Sequence, residues 1–409
     1  MRVASLTLLM LAASATGAVA ADRDMLSEWR ELNNDAAAAW YDVPGNIAGP
    51  EQQRMTTALW LAIYTAANAV DQSYEQYLEG VEASSDADAR LAATAAAARI
   101  LELAYGDAGK TVAAPVLAEI FTGVDPAVAA ASTALGRAAA DQAAARARAT
   151  VDDKFGPYLP QTTPGLYIAA RLPAFPPEYF DREPWFLETR DAIRPGPPPD
   201  LSSDLWAENY NEVKRLGRLT GSDRTPEQSR EATFWTGQDN EMVIDQAATR
   251  RDLSLTDTAR IYALIAMSTD DSMLAVVEAK YHYNWWRPIT AIRRAELDGN
   301  DGTEADPWWE PYQSTPNHPE YPCAHCQYGA GTSAILEATM PEMEGETFRV
   351  YDWKTPDDFV ELTAYDQFRE RMSMSRIYYG AHYRHSNETG EAMGQAVAAM
   401  ALGYFEALE

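Results

Sequence analysis

Apolar residues along most of this chain recur at three- and four-residue spacing, within segments rich in alanine. This spacing gathers apolar side chains on one face of an α-helix, whereas a half-buried strand would show alternation, of which there is little. The pattern therefore predicts an all-α protein. We expect helices over residues 53–78, 87–105, 127–149, 256–283, 332–338, 356–379 and 388–407.

One of these helices has a well-marked start. Thr355 precedes Pro356, and Asp357 and Asp358 follow in what would be the first turn. Threonine is a common N-cap residue, proline suits the first helical position, and acidic side chains favour the positive end of the helix dipole. The sequence therefore predicts that this helix begins at Pro356.

A proline-rich stretch over residues 155–201 separates the predicted helices into two groups, and four of its prolines lie within residues 194–199. Proline cannot continue a helix, so we expect this stretch to run over the surface as a connection. The connection predicts an N-terminal helical half, residues 21–195, and a C-terminal helical half, residues 196–409.

The first twenty residues, 1–20, have the features of a signal peptide. Arg2 is followed by a mostly apolar stretch over residues 6–11 and by small residues at 18–20. The stretch is shorter than the ~20 residues that a membrane-spanning helix needs. We expect export to the periplasm or out of the cell, and no membrane span elsewhere in the chain.

Composition narrows the possible partners. The formal net charge is -28, with 61 acidic and 33 basic residues, which argues against nucleic acid and anionic membrane surfaces. A site for an anion in such a chain needs its own cluster of cations. Cys323 and Cys326 are too few for a disulfide scaffold, although an exported protein could join them in one local bridge.

Candidate chemistry is concentrated in the C-terminal third, which holds all five histidines: His282, His318, His325, His382 and His385. Lys280 and Arg287 lie seven residues apart, so a continuous helix would place them on nearly the same face, about 20° apart. Pro288 disfavours a helical conformation at Arg287, which would free its guanidinium. From the spacing alone, the commoner explanation is that Lys280 and Arg287 lie on a solvent-exposed helix face without a site.

Two further features of the sequence suggest an oxyanion site. His325 follows small residues that open a predicted helix, where unpaired backbone N–H groups bind oxyanions and a histidine can act as general acid or base. Arg376 and His382 would lie about 240° apart on an unbroken helix, but Gly380 between them can end the helix and turn His382 inward. The alternatives are an ordinary helix start and an ordinary surface histidine.

Together these residues resemble the three-part signature of the superfamily of type 2 phosphatidic acid phosphatases, bacterial acid phosphatases and vanadium haloperoxidases. The first part, Lys-x6-Arg-Pro, and the third, Ser-Arg-x5-His, are complete; the second, Pro-Ser-Gly-His, is matched only at its ends. The matching residues are Lys280, Arg287 and Pro288, then Pro322 and His325 with Cys323 and Ala324 between them, then Ser375, Arg376 and His382. Residues 57–64, 67–69, 194–199, 211–214 and 279–293 are similar to soluble bacterial haloperoxidase-type proteins.

The resemblance implies packed helical bundles with vanadate as cofactor in the C-terminal half. His382 would bind the metal, while Lys280, Arg287 and Arg376 neutralise vanadate oxygens. The second signature part would complete the vanadate-binding site with Cys323, the backbone N–H of Ala324, and His325.

The resemblance also implies a reaction. His325 would be the acid-base group for hydrogen peroxide, and Lys280 would polarise the peroxide toward attack by a halide. The products would be hypohalite or a halogenated small organic substrate. His318 lies where haloperoxidases carry a residue linked to halide choice, and histidine is similar to bromide-oxidising members. Members of the family often associate, so a homo-oligomer is a further expectation.

Two other functions remain open. In a phosphatase acting on phosphate esters, His382 would be the nucleophile that forms a phosphohistidine and His325 would protonate the leaving group. In a non-catalytic protein the site would only bind an oxyanion. The phosphatase remains open because vanadate and phosphate are both tetrahedral oxyanions, which the charge of the site alone cannot separate. The binding protein remains open because Cys323 and Ala324 replace the serine and glycine of the family.

A third departure is Ser386, which stands where the family usually has an aspartate that orients the histidine. Glu388, Asp239 and Asp271 are the carboxylates that could take its place.

Overall fold

Helices make up most of the computed structural model, which describes residues 15–43, 50–236, 238–239, 241–352, 355 and 357–408. This part of the chain forms thirteen α-helices: α1 (Ala15–Tyr41), α2 (Pro50–Asp71), α3 (Ala89–Tyr105), α4 (Asp107–Ile120), α5 (Pro126–Arg148), α6 (Asp204–Leu216), α7 (Pro226–Phe234), α8 (Glu241–Arg251), α9 (Leu255–Tyr283), α10 (Pro288–Arg293), α11 (Ala324–Thr339), α12 (Tyr365–Tyr379) and α13 (Arg384–Leu402). Two short 3-10 helices span Pro177–Phe180 and Ala295–Leu297. The predicted all-α fold is confirmed.

A small antiparallel sheet accompanies the helices, with strand order β1 (Gln238–Asp239), β2 (Phe348–Asp352) and β3 (Phe359–Leu362). The helix predicted from Pro356 is wrong in its first part, because Phe359–Leu362 form β3 and α12 begins only at Tyr365; Pro356 itself lies outside the described residues. Asp357 lies in a turn, and the N–H of Asp358 donates to the carbonyl of Thr355 over 2.7 Å. Turn and helix start share the same preference for threonine, proline and aspartate.

Residues 1–14 of the predicted signal peptide lie outside the described residues, and α1 covers residues 15–20. Export therefore stays a prediction. Within the described part of the chain, no helix combines the length and apolar character needed to cross a membrane.

Helices α11 and α13 approach each other closely because glycines of α13 lie at their contact. A Cβ atom on Gly394 would lie 2.1 Å from the carbonyl oxygen of Gln327, and one on Gly390 would lie 2.3 Å from that of Cys323. Only glycine permits such an approach. The first turn of α11 is therefore held against α13.

The connection over residues 155–201 contains no α-helix, as its prolines predict, but it does not lie only on the surface. Trp185, Phe186 and Leu187 are buried, and the backbone N–H of each donates to the carboxylate of Asp271 on α9. The connection is thus fixed to the longest helix of the described chain. The division into halves at residue 195 stays a prediction.

A buried ion pair joins α2 to α9. Arg54 Nη1 lies 2.6 Å from Asp270 Oδ2, and these side chains are 2% and 6% exposed. The indole N–H of Trp185 donates to the same oxygen over 2.6 Å, and the Arg54 guanidinium lies 4.3 Å from the Trp185 ring centroid. One cluster therefore connects the N-terminal helices, the connection and α9.

We predict that Asp270→Asn lowers the free energy of unfolding by about 3–5 kcal/mol, because it leaves the buried Arg54 cation without its counter-charge. Denaturant unfolding measures this loss. Asp223→Asn is the control, since its pair with Arg215 is 57% and 59% exposed and its loss should be less than about 1 kcal/mol. Similar small losses for both variants would contradict the prediction.

Candidate active site

His382 is turned into the protein by the end of α12. The helix ends at Tyr379, and Gly380 adopts a left-handed conformation with φ of 83°. A Cβ atom at this position would lie 2.5 Å from the carbonyl oxygen of Gly217, so the position requires glycine. His382 follows the turn and is 2% exposed. It is a buried residue and not a surface histidine.

The two ring nitrogens of His382 have different partners. Nδ1 lies 2.8 Å from Glu320 Oε1, and Nε2 lies 3.2 Å from Nη1 of Arg287. A guanidinium only donates hydrogen bonds, so Nε2 must carry the lone pair, and Nδ1 donates its hydrogen to the carboxylate. Burial and the nearby charges of Arg287 and Lys280 lower the pKa of His382 well below its usual value. The ring is therefore a neutral imidazole with its lone pair directed at Arg287.

Glu320 is the carboxylate that orients His382. It is fully buried, and its Oε1 also accepts the backbone N–H of Tyr383 over 3.1 Å. Burial raises the pKa of Glu320 to about 7, while the charges of Arg287 and Lys280 and the Ser386 hydroxyl act in the opposite direction.

The three carboxylates proposed from the sequence do not have this role. Asp271 accepts backbone N–H groups of the connection, Glu388 is exposed, and Asp239 belongs to β1. Glu320 was missed because it lies 62 residues from His382 in the chain. The only local sign was an acidic residue between prolines at 319 and 322.

Arg287 connects the loop before α11 to the turn after α12. Its backbone is extended, as the following proline predicts, and its side chain is buried. It donates to the carbonyls of His318 (2.9 Å), Ala381 (2.8 Å) and Pro319 (3.3 Å), and Nη2 lies 3.1 Å from Nδ1 of His318. Burial lowers the pKa of Arg287 to about 10.

Lys280 lies in the last turn of α9, which ends before Arg287, so these two cations do not share one continuous helix. Its Nζ donates to the carbonyls of Pro319 (3.2 Å), Glu320 (2.7 Å) and Pro322. Burial lowers its pKa well below the usual value, and the Arg287 charge lowers it further. All three N–H groups of the ammonium thus bind the loop, and its positive charge stays beside the site.

The start of α11 is closed by a disulfide bond between Cys323 and Cys326, which settles the pairing that the sequence left open. Cys323 therefore offers no thiol, and its backbone N–H already donates to the carbonyl of Ser386 over 3.0 Å. The N–H groups of Ala324 and His325 have no acceptor among the described residues. At this helix start, the backbone N–H groups of Ala324 and His325 are therefore available to an anion, whereas that of Cys323 is already used.

Arg376 is 3% exposed and lies beside Tyr379, with its guanidinium 5.1 Å from the ring centroid. Nε donates to Ser375 Oγ (2.9 Å) and Nη2 to the carbonyl of Trp235 (3.2 Å), and burial lowers the pKa of Arg376 to about 10. In the described part of the chain, no carboxylate forms an ion pair with Arg376, Arg287 or Lys280.

A cavity of about 540 Å³ brings five of the predicted site residues together, whereas Arg287, Cys323 and Arg376 are not among the residues that line it. Those that line it are Lys280, His318, Ala324, His325 and His382. The His325 side chain is exposed to this space and makes no hydrogen bond with the described residues. Partial loss of solvent around the ring within the cavity and the charges of Arg376, Lys280 and Arg287 lower its pKa well below the usual value.

The other two histidines do not line this cavity. His282 is exposed, and His385 stacks on Tyr321 with the ring centroids 5.7 Å apart.

We predict that Gly380→Ala lowers the free energy of unfolding by more than Gly345→Ala. Both glycines have positive φ, which costs alanine about 1–2 kcal/mol. A Cβ atom on Gly345 meets nothing within 4 Å, whereas one on Gly380 collides with the Gly217 carbonyl, which adds about 1–3 kcal/mol. Equal losses in denaturant unfolding would show that the turn before His382 tolerates a side chain.

Comparisons with known proteins identify the fold. Residues 260–408 match the family model described as VCPO second helical-bundle domain. None of the curated proteins matches the chain.

Solved structures with the same fold include a bacterial vanadium-dependent iodoperoxidase, with a TM-score of 0.75 and 19% identity over 96% of this chain and 97% of that chain. A holo-type bacterial vanadium-dependent chloroperoxidase superposes with a TM-score of 0.68 and 15% identity, over 88% of this chain and 93% of that chain. The chain is therefore a vanadium haloperoxidase-like protein in its fold, and residues 260–408 correspond to the second helical bundle.

Proposed function

We propose that this chain is a vanadate-dependent haloperoxidase that oxidises a halide with hydrogen peroxide. The observation that carries the proposal is the environment of His382, whose lone-pair nitrogen faces Arg287 in a buried site that also contains Lys280 and the Glu320 carboxylate. The charge of Arg376 acts on the neighbouring His325. The charged side chains of the site therefore have a net positive charge. A buried net charge is unfavourable unless an ion of opposite sign compensates it. Halide, hydrogen peroxide and one proton would give hypohalous acid and water.

The residues present fit vanadate. Imidazole nitrogen is a common metal ligand, and guanidinium and helix N-terminal N–H groups suit oxyanion oxygens. When an anion takes the His382 Nε2 lone pair, the Arg287 N–H at that nitrogen becomes free for an anion oxygen. Bound vanadate would supply a Lewis-acidic metal that activates hydrogen peroxide.

The chain's own residues divide the remaining tasks. Glu320 holds the Nδ1 hydrogen of His382 and so keeps Nε2 directed at the anion. Arg376 has N–H groups beyond those bound to Ser375 and Trp235, while Lys280 acts through its charge. His325, neutral and without a hydrogen bond to described residues, is placed to accept a proton from hydrogen peroxide.

We propose bromide as the halide because a histidine at position 318 is similar to bromide-oxidising members of the family. In support, His318 lines the cavity and its Nδ1 lies 3.1 Å from Nη2 of Arg287. The similar solved structures include an iodoperoxidase and a chloroperoxidase, so the shared fold does not select a halide. Export, inferred from residues 1–20, and assembly into a homo-oligomer are further parts of the proposal.

We predict that the purified protein, reconstituted with orthovanadate, oxidises bromide with hydrogen peroxide between mildly acidic and neutral pH. Bromination of a dye is the measurement. Hydrolysis of a phosphate monoester without bromination would favour the phosphatase, because phosphate is also a tetrahedral oxyanion and a neutral His382 is also a nucleophile. Oxyanion binding without either activity would favour a binding protein.

We predict that His382→Ala abolishes the calorimetric signal of vanadate binding, because it removes the metal ligand. Glu320→Ala should weaken binding roughly 10–100-fold, as is usual when the partner that orients a ligand is lost. His282→Ala is the control, since His282 is exposed and does not line the cavity. Wild-type affinity in His382→Ala would remove His382 as the ligand.

A further inference from the structure

A groove lies between three of the N-terminal helices, and none of the residues that line it belongs to the site at His382. Ala95 and Ala98 of α3 form its floor, and residues of α4 and α5 form its two walls. Both wall helices pack on α3 but scarcely on each other, so the space between them stays open. Its volume of about 470 Å³ lies within the range of about 300–1,000 Å³ that is typical of ligand pockets.

Glycines hold both walls against the floor. A Cβ atom on Gly109 of α4 would lie 2.0 Å from the carbonyl oxygen of Leu101, and one on Gly136 of α5 would lie 2.3 Å from that of Ala92. Leu101 and Ala92 are about 14 Å apart along the axis of α3, so the two walls make their closest contacts at different levels. The backbone contacts therefore fix the groove without a ligand.

The wall formed by α4 presents an apolar stripe to the groove. Ala114, Leu117, Ala118 and Phe121 line the groove and follow one another at three- and four-residue spacing, which places them on one helix face. The side chains of Ala114 and Ala118 are exposed, and those of Leu117 and Phe121 are half-buried. The stripe is therefore an apolar surface that the fold leaves in contact with water.

Cations surround this apolar surface. Arg99, Lys110 and Arg137 line the groove together with one carboxylate, that of Glu102. Arg99 is paired with Asp141 over 2.8 Å and with Glu102 over 3.0 Å, whereas Lys110 Nζ lies 3.4 Å from Glu102 and its side chain is 56% exposed. In the described part of the chain Arg137 forms no ion pair. In a protein of net charge -28, this groove thus has a positively charged rim.

The length of the stripe limits what can occupy it. Lys110 lies one helical turn before Ala114, and Phe121 follows α4 at its C-cap. The helix from Lys110 to Phe121 spans about 16 Å. An extended hydrocarbon chain advances by about 1.3 Å per carbon–carbon bond, so about twelve carbons cover this distance. The stripe therefore matches an alkyl chain that carries one anionic group.

We propose that this groove binds a free long-chain carboxylate, namely a fatty acid of about twelve carbons. The alkyl chain covers the apolar stripe and leaves water, which favours binding. The carboxylate pairs with Arg137 and Lys110, which lie on opposite walls. The groove and the cavity beside His382 share no lining residue, so the inference does not depend on the reaction proposed for that cavity.

Calorimetric titration of the full chain without vanadate tests this site, with sodium dodecanoate (laurate) below its micelle concentration as the ligand. Arg137→Gln should weaken binding about fivefold, because it removes a guanidinium that has no other counter-charge. Ala118→Glu should weaken binding more than about tenfold, because it places a carboxylate in the apolar stripe. Both side chains are exposed, so unfolding midpoints should stay near that of wild type.

Two control variants carry the same changes outside the groove. Arg294→Gln alters a side chain that is 55% exposed, and Ala138→Glu alters an exposed position of α5 that does not line the groove. Each should bind laurate within about twofold of wild type.

Chain length gives a second measurement. Each added methylene should tighten binding about two- to fourfold up to about twelve carbons, and longer chains should gain little more. Dodecanol should bind more weakly than laurate, because it has no charge for the rim.

The proposal is overturned if laurate does not bind, if its affinity is independent of chain length, or if Arg137→Gln and Ala118→Glu bind it as wild type does. The last result would place laurate elsewhere, such as in the cavity beside His382. Loss of a dimer in Ala118→Glu, without laurate binding to the wild type, would assign the groove to a second copy of the chain instead.

Discussion

An excess of buried positive charge is the constraint on which the site depends. Lys280, Arg287 and Arg376 lie inside a chain of net charge -28, and in the described part of it they have no ion pair with a carboxylate. Among the described residues, Glu320 is the carboxylate whose charge acts on both Lys280 and Arg287. Burial lowers the pKa of each cation, which measures how unfavourable its environment is for charge.

Backbone carbonyls offset part of this cost. Lys280 and Arg287 donate to carbonyls of residues 318–322 and of Ala381. The same hydrogen bonds hold the loop before α11 against the turn after α12, and so bring Glu320 to His382. The buried cations and the position of this loop therefore depend on each other, because removing a cation would also release the loop that carries Glu320 and so orients His382.

The start of α11 is rigid for a different reason. Glycines on α13 allow backbone contact with its first turn, and the Cys323–Cys326 disulfide closes that turn. His325 projects from it into the cavity. Since both sulfurs are already oxidised, the helix start beside the cavity presents no thiolate that an oxidant could attack.

The sequence predicted much of this arrangement, but only where a local rule applies. Gly380 indicated the turn at His382, and Pro288 indicated the extended Arg287, because each acts on its own backbone. Residues 355–358 were misread, since a hairpin turn and a helix start use the same residues. The carbonyl partners of Lys280 could not be predicted, because they depend on a loop about 40 residues away that only the fold brings close.

Glu320 has a consequence for how relatives of this chain should be recognised. Its carboxylate reaches His382 from the loop before α11, so position 386 no longer has to supply one and can be serine. A search pattern that demands an acid shortly after the histidine would reject this chain. A template of three groups, namely the carboxylate oxygen, the guanidinium nitrogen and the imidazole ring between them, would retain it whichever segment contributes the acid.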